Sequence, residues 1–130
     1  MPEQRNTYHR GRPWLRLGFK DVEGSVHELK VVADTGSVAG IILRPDWFLK
    51  LFHEKAQTRE SNFGALISGW LRLYQPDLGL VEFIRGYGSE KAATIVANSD
   101  PDFVGLVGLP VLRLMEYGGN YDSFWIRTPT

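Results

Sequence analysis

The amino-acid sequence predicts one mainly β domain, of sandwich or barrel type, with one or two short helices. The chain has 130 residues, which is enough for one domain and too few for two. Hydrophobic residues make up 43% of it and charged residues 23%, so a sizeable core can form and global disorder is not expected. Short apolar runs alternate with glycine- and proline-containing turns along most of the chain, which is typical of an all-β fold.

The first half of the chain contains a predicted β-hairpin and a predicted helix. Residues 1–12 are polar and aperiodic and are predicted to form a flexible arm, so the domain proper is residues 13–130. Apolar residues alternate from Pro13 to Phe19, and a second apolar run covers residues 26–33 after a turn that contains glycine. Pro45 is suited to begin a helix in residues 44–52, whose apolar side chains share one face. The polar segment 56–64 is predicted to be a loop.

The second half of the chain contains a second predicted hairpin. Its strands are residues 66–74 and 80–87, around a turn with proline and glycine. Residues 92–97 are predicted to form a short strand, and residues 103–109 a further apolar run. One or two helical turns are expected in residues 109–115, and Pro110 confines their start to about that position. A last strand is predicted in residues 121–126.

Charge and composition exclude several classes of function. Fifteen basic residues balance fifteen acidic ones, which argues against a nucleic-acid or membrane surface spread over the whole domain. Arg5, Arg10 and Arg12 could form a local basic patch, although a solvated tail is the simpler interpretation. The chain has no cysteine, so disulfides, thiol catalysis and cysteine-ligated zinc are excluded. Neither a metal nor a cofactor is predicted.

The sequence also carries no signal for membrane insertion or export. No apolar run approaches the roughly 20 residues of a membrane span. Residues 1–11 are too polar for a signal peptide. We therefore expect a cytoplasmic protein, without nucleic-acid or membrane partners.

One segment contains a carboxylate and a tight turn of the kind that a catalytic site needs. Residues 31–37 read VVADTGS, so Asp34 directly follows a β-branched apolar strand and is expected at the edge of the core, partly desolvated. Thr35 offers a short hydroxyl and Gly36 a free backbone, both suited to a tight turn with donors that face the carboxylate. The tripeptide alone is common in ordinary turns between strands, and Ser37 has no triad partner identifiable in the sequence.

The order of motifs gives this segment a context. Residues 12–18 read RPWLRLG, residues 31–37 read VVADTGS, residues 40–43 read GIIL and residues 105–113 read GLVGLPVLR. In this order and spacing the chain resembles the retropepsin-like aspartic proteases over about Pro13 to Ile126. The resemblance implies a closed, mainly antiparallel, barrel-like half of an acid protease.

The resemblance also implies a homodimer that hydrolyses peptide bonds. The chain carries one Asp-Thr-Gly, so a site with two carboxylates would need Asp34 from each of two subunits on a two-fold axis. One carboxyl would stay protonated and polarise the peptide carbonyl, while the other would take a proton from the attacking water. Thr35 would hydrogen-bond across the axis and Gly36 would help bind a peptide or protein substrate. Ser37 and the residues Leu106, Val107 and Gly108 would support the catalytic loop.

A mobile hairpin over the site is a further implication of the resemblance. We expect this flap between Arg59 and Trp70, with its tip at Asn62, Phe63 and Gly64. The turn at residues 76–79 is the alternative flap, and both segments could equally be ordinary surface loops.

Two other functions compete with peptide hydrolysis. Many viral members of the family follow the second motif with Gly-Arg and many cellular ones with Gly-Met-Asp, whereas here Gly108 precedes Leu109 and Pro110. A non-catalytic dimerisation or peptide-binding domain with the same fold is therefore the first alternative. The second is an unrelated β-barrel that binds a ligand.

Overall fold

The computed structural model describes residues 2–53, 57–61, 64–97 and 100–129. In this part of the chain the strands are β1 (Glu3–Thr7), β2 (Trp14–Lys20), β3 (Val26–Asp34), β4 (Ile41–Leu43), β5 (Gln57–Ser61), β6 (Gly64–Gln75), β7 (Leu80–Gly88), β8 (Gly105–Gly108), β9 (Glu116–Gly119) and β10 (Ser123–Arg127). The helices are α1 (Pro45–Leu51), α2 (Glu90–Ala97) and α3 (Leu109–Leu112), with a 3₁₀ turn at Pro76–Leu78.

Six strands close into a barrel, so the predicted all-β class is confirmed. Their order is β2-β3-β8-β4-β7-β6, and β6 pairs back to β2 to complete the ring. Strand β5 extends the sheet beyond β6, and a separate three-stranded sheet has the order β1-β10-β9. Closure gives each of the six barrel strands a neighbour on both sides, so among the described strands of this sheet only β5 is an edge strand.

The barrel is filled by alternate residues of its strands. Leu15, Leu17 and Phe19 of β2 are at most 1% exposed, and Leu71 and Leu73 of β6 are fully buried. Burial of one such side chain contributes about 1.5–3 kcal/mol, so this interior is the main source of stability.

Helix α1 forms where the sequence predicts it. Pro45 occupies the first turn, where a backbone N–H has no acceptor within the helix. The missing N–H of proline therefore costs the helix no hydrogen bond. Phe48 and Leu51 lie one turn apart and are fully buried, and the ring of Phe48 stacks on that of Phe52 at 5.9 Å between centroids. The helix therefore packs one apolar face onto the barrel.

Three segments differ from the prediction. The segment predicted as a flexible arm contains β1, which pairs with β10 from Glu3↔Arg127 to Thr7↔Ser123. Part of the predicted loop at 56–64 forms β5, which pairs with β6. Residues 92–97 belong to α2 rather than to a strand, because Ser89 begins that helix and its Oγ accepts the N–H of Ala92 at 3.2 Å.

Candidate functional site

Asp34 lies at the end of β3, where that strand leaves the barrel interior. Strand β3 pairs in parallel with β8, in the register Ala33↔Val107 and Asp34↔Gly108. Val31 is fully buried and Ala33 is 5% exposed, whereas the side chain of Asp34 is exposed. The expected position after a buried strand is thus correct. The expected desolvation is wrong for the single chain, because the strand emerges at the rim of the barrel.

The turn after Asp34 fixes one carboxylate oxygen and leaves the other free. The N–H of Gly36 donates to Oδ1 of Asp34 at 2.9 Å, and the N–H of Ser37 donates to the carbonyl oxygen of Asp34 at 3.1 Å. Oδ2 of Asp34 has no hydrogen-bond partner in the described part of the chain. Thr35 is exposed in the same turn. The turn therefore orients the carboxylate, with Oδ2 available to a ligand or a second chain.

The hydroxyl of Ser37 serves the loop itself. Its Oγ donates to the carbonyl oxygen of Ala39 at 3.1 Å and lies 3.3 Å from the Ala39 N–H. Both contacts are made with the backbone of the loop, and no histidine among the described residues hydrogen-bonds to this hydroxyl, as a nucleophilic serine would require.

The end of β8 lies against the loop that follows Asp34. The N–H of Gly108 donates to the carbonyl oxygen of Gly40 at 2.8 Å, and the N–H of Leu109 donates to that of Ser37 at 3.1 Å. Val107 is fully buried and Leu106 is partly exposed. The structure thus brings together the two sequence motifs, 74 positions apart, that the resemblance places in one site.

A cleft of about 610 Å³ opens beside Asp34. Its charged lining residues are Arg12 and Asp34, and the remaining lining is apolar or small. Its apolar wall is formed by Pro13, Val32, Ile42, Ala92, Val96 and Leu106. The sequence did not identify the contribution of α2 to this wall. Ser89 and Glu90, a capping residue followed by an acidic first-turn residue, are the signal that could have found it.

The predicted flap corresponds to a hairpin. Strands β5 and β6 pair antiparallel up to Ser61↔Gly64, and Gly64 is the first residue of β6. The predicted tip residues Asn62 and Phe63 lie outside the described residues. The alternative flap at residues 76–79 is tied down, because Leu78 is 2% exposed and its carbonyl oxygen accepts the Thr128 hydroxyl at 3.0 Å.

A charged cluster lies beside Trp14 and Phe103, whose rings pack in one apolar cluster with the cleft residues Val32 and Val96. Nζ of Lys30 donates to Oδ2 of Asp100 at 3.0 Å and lies 4.6 and 4.7 Å from the ring centroids of Trp14 and Phe103. The N–H of Asp102 donates to Oδ1 of Asp100 at 2.8 Å. This N–H and the Lys30 ammonium stabilise the carboxylate and hold the pKa of Asp100 below its ordinary value.

We expect Asp100→Asn to lower the melting temperature near neutral pH and to lose that effect in acid. Because the folded-state pKa of Asp100 is lowered, its stabilisation is present above the unfolded pKa of about 3.9 and is lost as the pH falls through the folded pKa. Thermal unfolding of wild type and variant across the acid range measures the gap between them. Exposed Asp122→Asn is the control. A gap that stays constant into strong acid would contradict the linkage.

Comparisons with family models, curated proteins and solved structures find no match to this chain. Within the described residues, no group of three or more histidine, cysteine, aspartate or glutamate side chains could hold a metal ion. No helix among them combines the length and apolar character of a membrane span.

Proposed function

We propose that the chain is one subunit of a retropepsin-like aspartic endopeptidase, with Asp34 as its catalytic carboxylate. The observation that carries this proposal is the position of Asp34, which is oriented by the Gly36 N–H at the mouth of an apolar cleft. The exposure of Asp34 supports a dimer. A lone solvated carboxylate is a weak catalyst, whereas two carboxylates brought together exclude water and share a proton.

The proposed reaction uses one protonated and one ionised Asp34. The ionised carboxylate accepts a proton from a water, whose oxygen attacks the peptide carbonyl carbon. The protonated carboxyl donates to the carbonyl oxygen as negative charge develops there. When the tetrahedral gem-diol collapses, the C–N bond breaks and the leaving nitrogen takes up a proton from the pair, while one hydroxyl of the gem-diol returns its proton to the pair as the C=O bond re-forms. The dyad returns to one proton after each turnover.

The apolar wall of the cleft supports an extended peptide as substrate. Val32, Ile42, Val96 and Leu106 offer aliphatic surface next to Asp34. Apolar side chains of an unfolded segment would bury area there, and a hairpin strand such as β5 could pair with the peptide backbone. We therefore propose a preference for unfolded or extended chains with aliphatic residues near the cleaved bond.

A dilution experiment tests the proposal. We expect cleavage of a disordered protein, measured per chain, to rise with chain concentration in step with the dimer fraction from sedimentation. Full activity per chain under conditions where sedimentation shows monomer would overturn the shared site. A stable dimer without cleavage would favour the non-catalytic peptide-binding domain. A monomer without cleavage at every concentration would favour the unrelated β-barrel ligand binder.

A further inference from the structure

The outward surface of β6 and β7 combines cations and exposed aromatic rings. We name it the outer face and define it by Lys20, Trp70, Arg72, Tyr74, Phe83 and Arg85. Phe83 is 55% exposed and Trp70 36%. A phenylalanine side chain has no polar atom and forms no hydrogen bond with water. A half-exposed ring between charged residues therefore suggests a contact surface.

Strand register arranges these residues as an alternation of charge and ring. Across the β6–β7 pair, Trp70 lies opposite Arg85, and Arg72 lies opposite Phe83. The Cζ atoms of Arg72 and Arg85 lie 5.8 and 5.9 Å from the ring centroids of Phe83 and Trp70. Each ring thus has a cation beside it.

The positive charge of the outer face is not neutralised within the described part of the chain. Lys20 and Arg72 are cross-strand partners, an arrangement of like charges that destabilises a sheet. None of the three cations forms an ion pair with a described carboxylate. The nearby Glu82 is exposed and lines the same cleft as Trp70, Phe83 and Arg85, but it forms no ion pair with any of the three cations. An external anion would relieve this repulsion.

We propose that the outer face binds single-stranded nucleic acid, independently of the site at Asp34. Three cations accompany three rings, and a nucleic-acid strand likewise supplies one phosphate for each base. Bases stack on exposed aromatic side chains while phosphates contact lysine and arginine, and sheet faces serve as such platforms. An acidic peptide could neutralise the cations but would need an aromatic residue for every carboxylate to cover the rings. The zero net charge describes the whole chain, whereas this surface is locally basic.

Fluorescence anisotropy of labelled oligo-uridylate and oligo-thymidylate with the full chain tests this proposal. For three neutralised phosphates the slope of log affinity against log salt is about −2, so affinity falls about 20-fold between about 50 and 200 mM salt. Phe83→Ala is expected to weaken binding at least about fivefold through lost stacking. Arg72→Gln is expected to reduce the slope to about −1.4.

Arg127→Gln is the matched control, since Arg127 lies 4.2 Å from the Trp125 ring but belongs to the separate three-stranded sheet. Circular dichroism verifies the fold of each variant. Unchanged binding in Arg127→Gln together with the expected losses in Phe83→Ala and Arg72→Gln supports the proposal. No binding of either oligonucleotide overturns it. So does binding that Phe83→Ala and Arg72→Gln leave intact, or binding of a polyglutamate peptide in preference to both oligonucleotides.

Discussion

Asp34→Asn is expected to abolish peptide cleavage and to leave the fold intact. An amide can still accept the Gly36 N–H, so the turn keeps the hydrogen bond that Oδ1 makes now. It cannot take a proton from water, and loss of a group that acts as part of a catalytic unit costs more than about a thousandfold in rate. The side chain is exposed, so its replacement removes little packing. Rates with a disordered substrate and melting temperatures of both proteins measure the two effects.

Mixed dimers make this prediction specific for a shared site. When wild-type and Asp34→Asn chains pair at random in equal amounts, about a quarter of the dimers contain two aspartates, so activity should follow the square of the wild-type fraction. Activity proportional to the first power would show that each chain acts alone. Asp77→Asn is the control, an exposed carboxylate in the turn at Pro76–Leu78. Cleavage by the Asp34→Asn chain in the absence of wild-type chain would overturn the aspartic-protease proposal.

Features governed by short-range sequence were predictable. The turn at residues 34–37 follows the apolar run at residues 31–33, and the period-two pattern around Leu15 and Leu17 predicts the barrel interior directly. Pro45 marks the start of α1 through its fixed backbone angle. These signals depend on a few neighbouring residues, so they can be interpreted without any knowledge of the partner strands.

Features that depend on distant partners were not predictable in the same way. Strand β1 has a polar sequence and little apolar surface of its own, and it is held by backbone pairing with β10 at the other end of the chain. Ala92 and Val96 line the cleft, and this could have been predicted only if α2 had been recognised as a helix. Its alanine, isoleucine and valine residues resemble a buried strand, and the cap at Ser89 outweighs that resemblance.

Net charge illustrates the same limit for surfaces. Equal numbers of acidic and basic residues led to the expectation of no nucleic-acid partner, which stays a prediction, and a total charge carries no information about where the charges lie. Lys20 lies 52 positions before Arg72 and meets it only because β2 closes the barrel onto β6. The outer face is therefore a product of topology.

Gly108→Ala is expected to be strongly destabilising and to disrupt the candidate catalytic loop. A Cβ at this position would lie 1.9 Å from the carbonyl oxygen of Ala39 and 2.9 Å from Cβ of Ser37. The first of these neighbours is backbone, so β8 and the loop after Asp34 must separate, and the hydrogen bond from Gly108 to Gly40 is strained or lost. Such overpacking costs about 3 kcal/mol. We expect the melting temperature to fall by roughly 10 °C, with loss of cleavage.

Gly36→Ala is the matched control for this effect. A Cβ at Gly36 would meet one atom within 4 Å, Oδ1 of Asp34 at 3.3 Å, which is the end of an exposed side chain that needs to move by only a few tenths of an ångström. We expect its melting temperature to stay within about 2 °C of wild type, because exposed substitutions rarely cost more than about 0.5 kcal/mol. Equal stability of the two variants would show that Gly108 at the end of β8 is not in close contact with the loop after Asp34. A stability loss confined to Gly108→Ala would tie the loop that orients Asp34 to the end of β8, through backbone contacts that only a residue without a side chain permits.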